Sequence, residues 1–398
     1  MASQKQPDYR INLRWYRIFY WPFMLPIALL LALFNKISPV PFKIYPLRID
    51  RVGHMSVNQE QFLCEMEHGL YPKEFRVYVH RDRPANSVML DILKRVMPVR
   101  QILLPLFDVC HKMGGLGVSS MDLHNSPGED WNYLIYKTPQ HMFLSETEEQ
   151  EARKQCKELG IDPNSPFIPV LGRDSSYLSH LGEPTDEMSY RNVDINTFIP
   201  AMEHLADRFQ VIRMGSIVKD KLKTNHPNIL DYSFSGKRTE LLDVYFSAKC
   251  HFFLSCGTGL DSITSTSFRL PVLYVNYIPP SIVPYFRPGS MFILKKYWHT
   301  KEKRYLGLNE LFENHLGDAF SPSTLNPIDI VVHDNSPEEI KEVASEMTAR
   351  LDGTWIETKE DKDLQKQFKA IYKKHFGDFQ VLGRIGSKFL KDNSYWLK

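Results

Sequence analysis

Residues 252 to 268 read FFLSCGTGLDSITSTSF, an apolar run, then two glycines flanking Thr258, then small hydroxyl residues, with PVLYVNY following at 271 to 277. Phe252 to Leu254 have the make-up of a strand interior, and Leu260, Ile263 and Phe268 recur like the inner face of a short helix. A strand–turn–helix of this kind offers backbone N–H groups at the positive end of a helix dipole, a place that suits phosphate. Gly257 and Gly259 would equally serve a tight β-to-α turn with no ligand.

The residues that follow the other expected strands extend the chemistry. Arg173-Asp174-Ser175-Ser176-Tyr177 follow FIPVLG, Arg213-Met214-Gly215-Ser216 follow QVI, and Asp231-Tyr232-Ser233 follow NIL. In doubly wound sheets ligands bind outside the carboxyl ends of the strands. Arginine forks, hydroxyls and a glycine turn there make an inventory for a diphosphate, because guanidinium and N–H groups neutralise phosphate oxygens. Taken singly, an arginine after a strand is more often solvated or salt-bridged, so the weight rests on convergence.

In the first half, Gly53-His54 forms a turn between the first expected strand and helix, and His80-Arg81 follows the second strand. An imidazole titrates near neutral pH, so His54 could act as general base on an acceptor hydroxyl. A capping or core histidine is the plainer alternative. Asp174, Glu183 and Asp261 are carboxylate competitors, although Asp261 suits the N-terminal turn of its own helix. Asp361-Lys362-Asp363 is the one D-x-D triplet and reads as a solvated helix start, while His299, His315 and His333 lack ligand spacing, so no metal is expected. No dinucleotide or P-loop signature is present.

These groups need elements to hold them. The first half reads as strand KIYPLRI (43–49), a helix ended by Gly69, strand FRVYVH (75–80), helix NSVMLDILKRVM, a strand or helix start at QILLPLF, and strand WNYLIY (131–136). Near Ser145 the pattern restarts with a capping box, Ser145 with Glu148, and strands and helices alternate through PVLYVNY. Two α/β units in one chain are expected, with a boundary between 140 and 166 and two packed helices at the C-terminus, one with its own box at Ser336.

With 398 residues, 43% hydrophobic and 24% charged, the chain can hold two cores. A net charge of +2 argues against a nucleic-acid partner. Five cysteines without pair spacing fit a reducing compartment.

Ile18 to Phe34 carry no charge, with Arg10, Arg14 and Arg17 before and Lys36 after. Seventeen residues lie at the lower edge for a bilayer span, and Pro22 and Pro26 interrupt the run. A span, an interfacial anchor and a helix packed on the protein body are the three readings; Trp15, Tyr16, Tyr20 and Trp21 beside arginines suit the headgroup layer. An anchor in the cytoplasmic leaflet is favoured, since a span would export a body whose cysteines look cytosolic.

RVGHM with SVNQEQFLCEME, then VLGRDSSYL, SYRNVDINTFIPAMEHLADRFQVIRMGS, ILDYS and FFLSCGTGLDSITSTSFRLPVLYVNY, in that order, resemble a group of bacterial glycosyltransferases found with surface-polysaccharide genes. The resemblance covers about residues 43 to 280. It implies an α/β fold of GT-B architecture, two facing Rossmann-like domains, here preceded by the hydrophobic membrane-contact segment. The expected parts are an anchor at 1–40, an acceptor-side domain at 41–150, a donor domain at 151–355 and C-terminal helices at 356–398.

By the same resemblance the donor is a nucleotide-diphosphate sugar, held by Arg173, Asp174, Ser175, Ser176, Arg213, Gly215, Tyr232, Ser255, Gly257, Thr258 and Gly259. Tyr190, Arg191, Asn192 and Asp194 match the YRN-x-DI stretch; Asp194 is as well placed to cap the next helix as to touch ligand. His54 is the expected base. No metal or cofactor is implied, and the partners would be the nucleotide-sugar, a glycan or lipid-linked acceptor and the cytoplasmic face of the inner membrane. Alternatives on the same fold are a sugar-nucleotide epimerase or hydrolase, a polysaccharide pyruvyl-type transferase, and a membrane-tethered nucleotide-binding protein without catalysis.

Overall fold

The computed structural model describes residues 14–119, 130, 132–377 and 379–398. The chain forms two compact units, Met1–Gly128 and Glu129–Lys398. The boundary therefore precedes Ser145, where the sequence pattern restarts.

In the first unit, strands β1 (Phe42–Pro46) and β2 (Phe75–Val79) pair in parallel, with Ile44 opposite Val77. Single parallel bridges widen this sheet, Ser119 beside Ile44 and Val99 beside Tyr78. The order 119–β1–β2–99 is a reduced form of the expected doubly wound sheet. Helices Val52–Glu67, Ser87–Val96 and Leu104–Lys112 connect these pieces. The side chain of Asn86 caps the second, accepting from the Met89 amide at 2.9 Å. The N-terminal helix runs from Arg14 to Ile37 straight through Pro22 and Pro26, so the two prolines do not end it.

The second unit is built on seven strands, all paired in parallel: β3 (Phe167–Leu171), β4 (Gln210–Arg213), β5 (Ile229–Asp231), β6 (Phe253–Ser255), β7 (Val272–Tyr277), β8 (Met291–Leu294) and β12 (Arg384–Ile385). Their order is β12-β8-β7-β6-β3-β4-β5. Between β8 and β12 the chain adds a small antiparallel sheet, β10-β9-β11, from β9 (Lys296–His299), β10 (Arg304–Tyr305) and β11 (Ile330–His333). Every residue of β3 is buried, as a strand covered on both faces requires. Both expected capping boxes are present, at Ser145/Glu148 and Ser336/Glu339.

Two elements differ from expectation. WNYLIY is not a strand: Leu134–Lys137 is a helical turn, because the Asp130 carboxylate accepts the Leu134 and Ile135 amides at 2.8 and 2.9 Å. Trp131 lies outside the described residues. The turn belongs to the second unit, where Tyr136 lies 5.1 Å under the Arg287 guanidinium. The D-x-D stretch does start a helix, Lys359–Phe376, but Asp361 is not solvated; it is buried against Arg350 and Arg384, while Asp363 is exposed.

Candidate functional site

From β3 the chain moves to β4 and β5 on one side, then returns to lay β6 against the other side of β3. The sheet reverses its winding there, the place where doubly wound sheets bind ligands outside the carboxyl ends of their strands. The loops after β3 and β6 carry Arg173 and the Gly257–Gly259 turn.

Backbone and side-chain bonds lock the loops together. The Arg173 amide donates to the Cys256 thiol at 3.1 Å, and its carbonyl accepts the Val193 amide at 2.9 Å. Arg191 reaches across to the Gly257 carbonyl at 3.1 Å. Asp174 accepts the Ser176 amide at 2.7 Å and the Lys219 amide at 2.9 Å, tying in the loop after β4. Lys295, at the end of β8, is buried and donates to the Asn192 carbonyl at 2.8 Å and to Asp334 at 2.6 Å. The YRN segment is thereby held against the loops after β6 and β8.

Gly257 adopts φ +83°, and a Cβ there would stand 2.4 Å from the Tyr277 ring. Glycine is required by both conformation and space. The turn differs from expectation in its donors. Asp261 is buried, and its Oδ2 accepts the Thr258 amide at 2.6 Å, the Thr258 hydroxyl at 3.2 Å and the Ser255 hydroxyl at 2.5 Å. Burial pushes the Asp261 carboxyl up to about 6. The following helix is a single π-helical turn, Ile263–Ser267, too short for a strong dipole. Ser255 and the Thr258 amide thus serve an internal carboxylate, and anion binding would fall to the arginines.

Two further assignments are corrected. Arg213 is fully buried; it donates to Asp231 at 3.0 Å and to the Asp220 carbonyl at 3.1 Å, and lies over the Phe234 ring. Its charge is compensated on the β5 side of the sheet. Tyr232 is a core residue with its ring edge-to-face on Phe246 and its hydroxyl bonded to the Thr239 backbone, at 2.8 Å from the amide and 3.2 Å from the carbonyl. Gly215, at φ +138°, lies close to Val218 and Ser233, which leave no room for a side chain.

Asp194 is a cap, accepting the Asn196 amide at 2.9 Å. The Tyr190 hydroxyl donates to Asn326 at 2.5 Å. On the loops after β3 and β6 and the YRN segment this leaves half-buried Arg173, Arg191, Ser175, Ser176 and Thr258, and exposed Gly259. Lys295 was missed, although it follows an apolar strand just as Arg173 does.

In the first unit, His54 lies inside the first turn of helix Val52–Glu67 rather than in the turn before it. Its Nδ1 is 2.9 Å from Asn58 Oδ1. An Nδ1–H donated to that oxygen leaves Nε2 with its lone pair.

No protein-family model and no curated protein matches the chain. Among solved structures it is loosely similar to a glycosyl transferase family 9 protein from Veillonella parvula DSM 2008, at TM-score 0.40 and 8% identity over 65% of this chain and 87% of that one. ADP-heptose LPS heptosyltransferase II from E. coli gives TM-score 0.36 and 14% identity over 63% and 90%, and E. coli heptosyltransferase WaaC with ADP gives 0.33 and 14% over 70% and 99%. At these TM-scores the likenesses carry no argument about this chain's site or activity.

Proposed function

We propose that the loops after β3 and β6 hold the diphosphate of a nucleotide-sugar, and that the protein transfers the sugar to a hydroxyl of a glycan or lipid-linked acceptor. The observation that supports this most is that the Arg173 backbone and the Arg191 guanidinium are bonded to Cys256 and Gly257, at the head of the glycine turn and at the sheet's winding reversal. Sugar transfer from such a donor builds negative charge on the leaving diphosphate, and guanidinium groups fixed in advance stabilise that charge as it develops. Ser175 and Ser176 supply hydroxyl donors to the same loop. Asp174, Lys295 and Asp261 position the loops and touch no substrate in this scheme.

His54 is the proposed base. With Nδ1–H held by Asn58, its Nε2 is the atom that would take a proton from an acceptor hydroxyl. The test couples binding to turnover. Nucleoside diphosphates and their sugars are first screened by thermal shift, since a ligand of the native state raises the melting temperature. The donor found is then incubated with a mixed acceptor extract and diphosphate release is followed. His54→Ala should keep donor binding and lower release by about 10²–10⁴-fold. Equal release by the variant refutes the base, and a panel with no binder refutes the donor class.

A further inference from the structure

The N-terminal helix Arg14–Ile37 has no acidic residue in its first turn and Lys36 in its last, and its segment Tyr20–Ile37 has a mean hydropathy of 1.5. That length and composition allow a membrane span, but the attachments of the helix to the first unit argue for another placement. Near its start the Tyr20 hydroxyl donates to Asp108 at 3.3 Å. At its middle Ala28 is fully buried in a cluster with Ile44, Val79, Phe107 and Val109. Near its end Asn35 donates to the Phe42 and Gly117 carbonyls, each at 2.8 Å, and accepts the Phe42 amide at 2.8 Å.

Tyr20 and Asn35 are about 22 Å apart along a helix axis at 1.5 Å per residue. Both are bonded to the same folded body. A helix crossing the bilayer would carry one of these attachment points, with the Asp108–Arg81 ion pair beside Tyr20 or the Phe42 and Gly117 backbone beside Asn35, into or through hydrocarbon. Charges and open backbone at that depth are strongly disfavoured.

The opposite face of the helix is bare. Phe23, Ile27, Leu30, Phe34 and Ile37 recur at alternating four- and three-residue steps, and are 70, 41, 68, 48 and 79% exposed. Leu33, 60% exposed, flanks them. Lysines mark both ends: exposed Lys112 lies 5.8 Å over the Trp21 ring, and half-buried Lys43 shares the Gly117 carbonyl with Asn35, whose sequence neighbour Lys36 is exposed. A stripe at this spacing could also meet a second copy of the chain. In a two-fold pairing that would set the same lysines against each other, whereas anionic headgroups complement them.

We infer that this helix is a rigid, in-plane docking face for an anionic lipid surface: Phe23, Leu30, Phe34 and Ile37 enter one leaflet, the lysines meet headgroup phosphates, and the chain does not cross the bilayer. The inference is independent of the sugar-transfer reading.

The full chain is floated with vesicles of phosphatidylcholine alone and with phosphatidylglycerol added. Binding should be stronger to the anionic vesicles, weaken with salt, and fall about tenfold or more in a Leu30→Glu/Leu33→Glu variant, because a carboxylate resists entry to the acyl region. Both positions are exposed, so the melting temperature of the variant should match the parent. A fluorophore on Leu30→Cys should be quenched more by lipids spin-labelled near the headgroup than by lipids labelled deep in the chain. Stronger deep quenching would indicate a span and overturn the inference. So would failure to float, or a dimer in lipid-free solution that the double variant dissociates.

Discussion

The backbone amide of Arg173 and the thiol of Cys256 meet at 3.1 Å across the point where the large sheet reverses its winding. One bond thus couples the loop after β3 to the loop after β6, and burial pushes the Cys256 thiol up, keeping it protonated at neutral pH. The site's geometry depends on that junction and on the Arg191 bridge to Gly257 beside it.

Arg191→Lys should separate charge from geometry. A lysine keeps the cation but loses the planar fork that reaches the Gly257 carbonyl and, in the proposed function, a diphosphate oxygen. Donor affinity should fall about tenfold by calorimetry, roughly the worth of one charge-assisted hydrogen bond. Affinity equal to the parent would place Arg191 outside the site.

Arg213→Ala should damage folding and spare recognition. The guanidinium is buried against Asp231, and its removal leaves a carboxylate without its partner, at a cost of about 3 kcal/mol in urea unfolding. At temperatures where the variant is folded, donor affinity should equal the parent's. A specific loss of affinity with stability unchanged would return Arg213 to the site.

Gly257→Ala places a methyl where the Tyr277 ring stands and puts a side chain at φ +83°. The backbone strain alone is worth about 1–3 kcal/mol. The variant should melt lower and lose its thermal shift with every nucleotide. Unaltered behaviour on both counts would mean that the turn is open and adaptable.

Buried carboxyls give stability a specific pH dependence. Asp261 and Asp243 both titrate near 6 in the folded chain, raised by burial above the ordinary value of 3.8. Between about pH 4 and 6 the folded state therefore holds protons that the unfolded state has released. Each group lowers stability as pH rises through that window, by up to about 1.4 kcal/mol per unit, and adds no further change above it. Asp261→Asn should flatten its share of the slope in denaturant unfolding from pH 4 to 7. An unchanged slope would contradict the raised titration.

Much of the scaffold was legible because its signals are local. FIPVL and HFFL are apolar runs of strand length, and Ser145/Glu148 and Ser336/Glu339 satisfy helix ends by near-neighbour bonds. The strand order is a long-range property and was not legible, so the pairing of β3 with β6 had to come from the structure. Arg213 and Tyr232 were misplaced for a related reason. Lying just after a strand says nothing about the direction a side chain takes: Arg213 turns to Asp231, and Tyr232 folds under onto Phe246. WNYLIY misled because a short apolar run fits a strand or a helical turn equally well, and Asp130 decides the matter by capping.

In the proposed function the loops after β3 and β6 bind a nucleoside diphosphate through Arg173. Calorimetric titration of the full chain with ADP, GDP, UDP and CDP tests it most directly, run in parallel on Arg173→Ala. At least one of the four should bind one-to-one, and the variant should lose that binding at an unchanged melting temperature. Undiminished binding by Arg173→Ala, or no binding of any of the four to the parent, would contradict it.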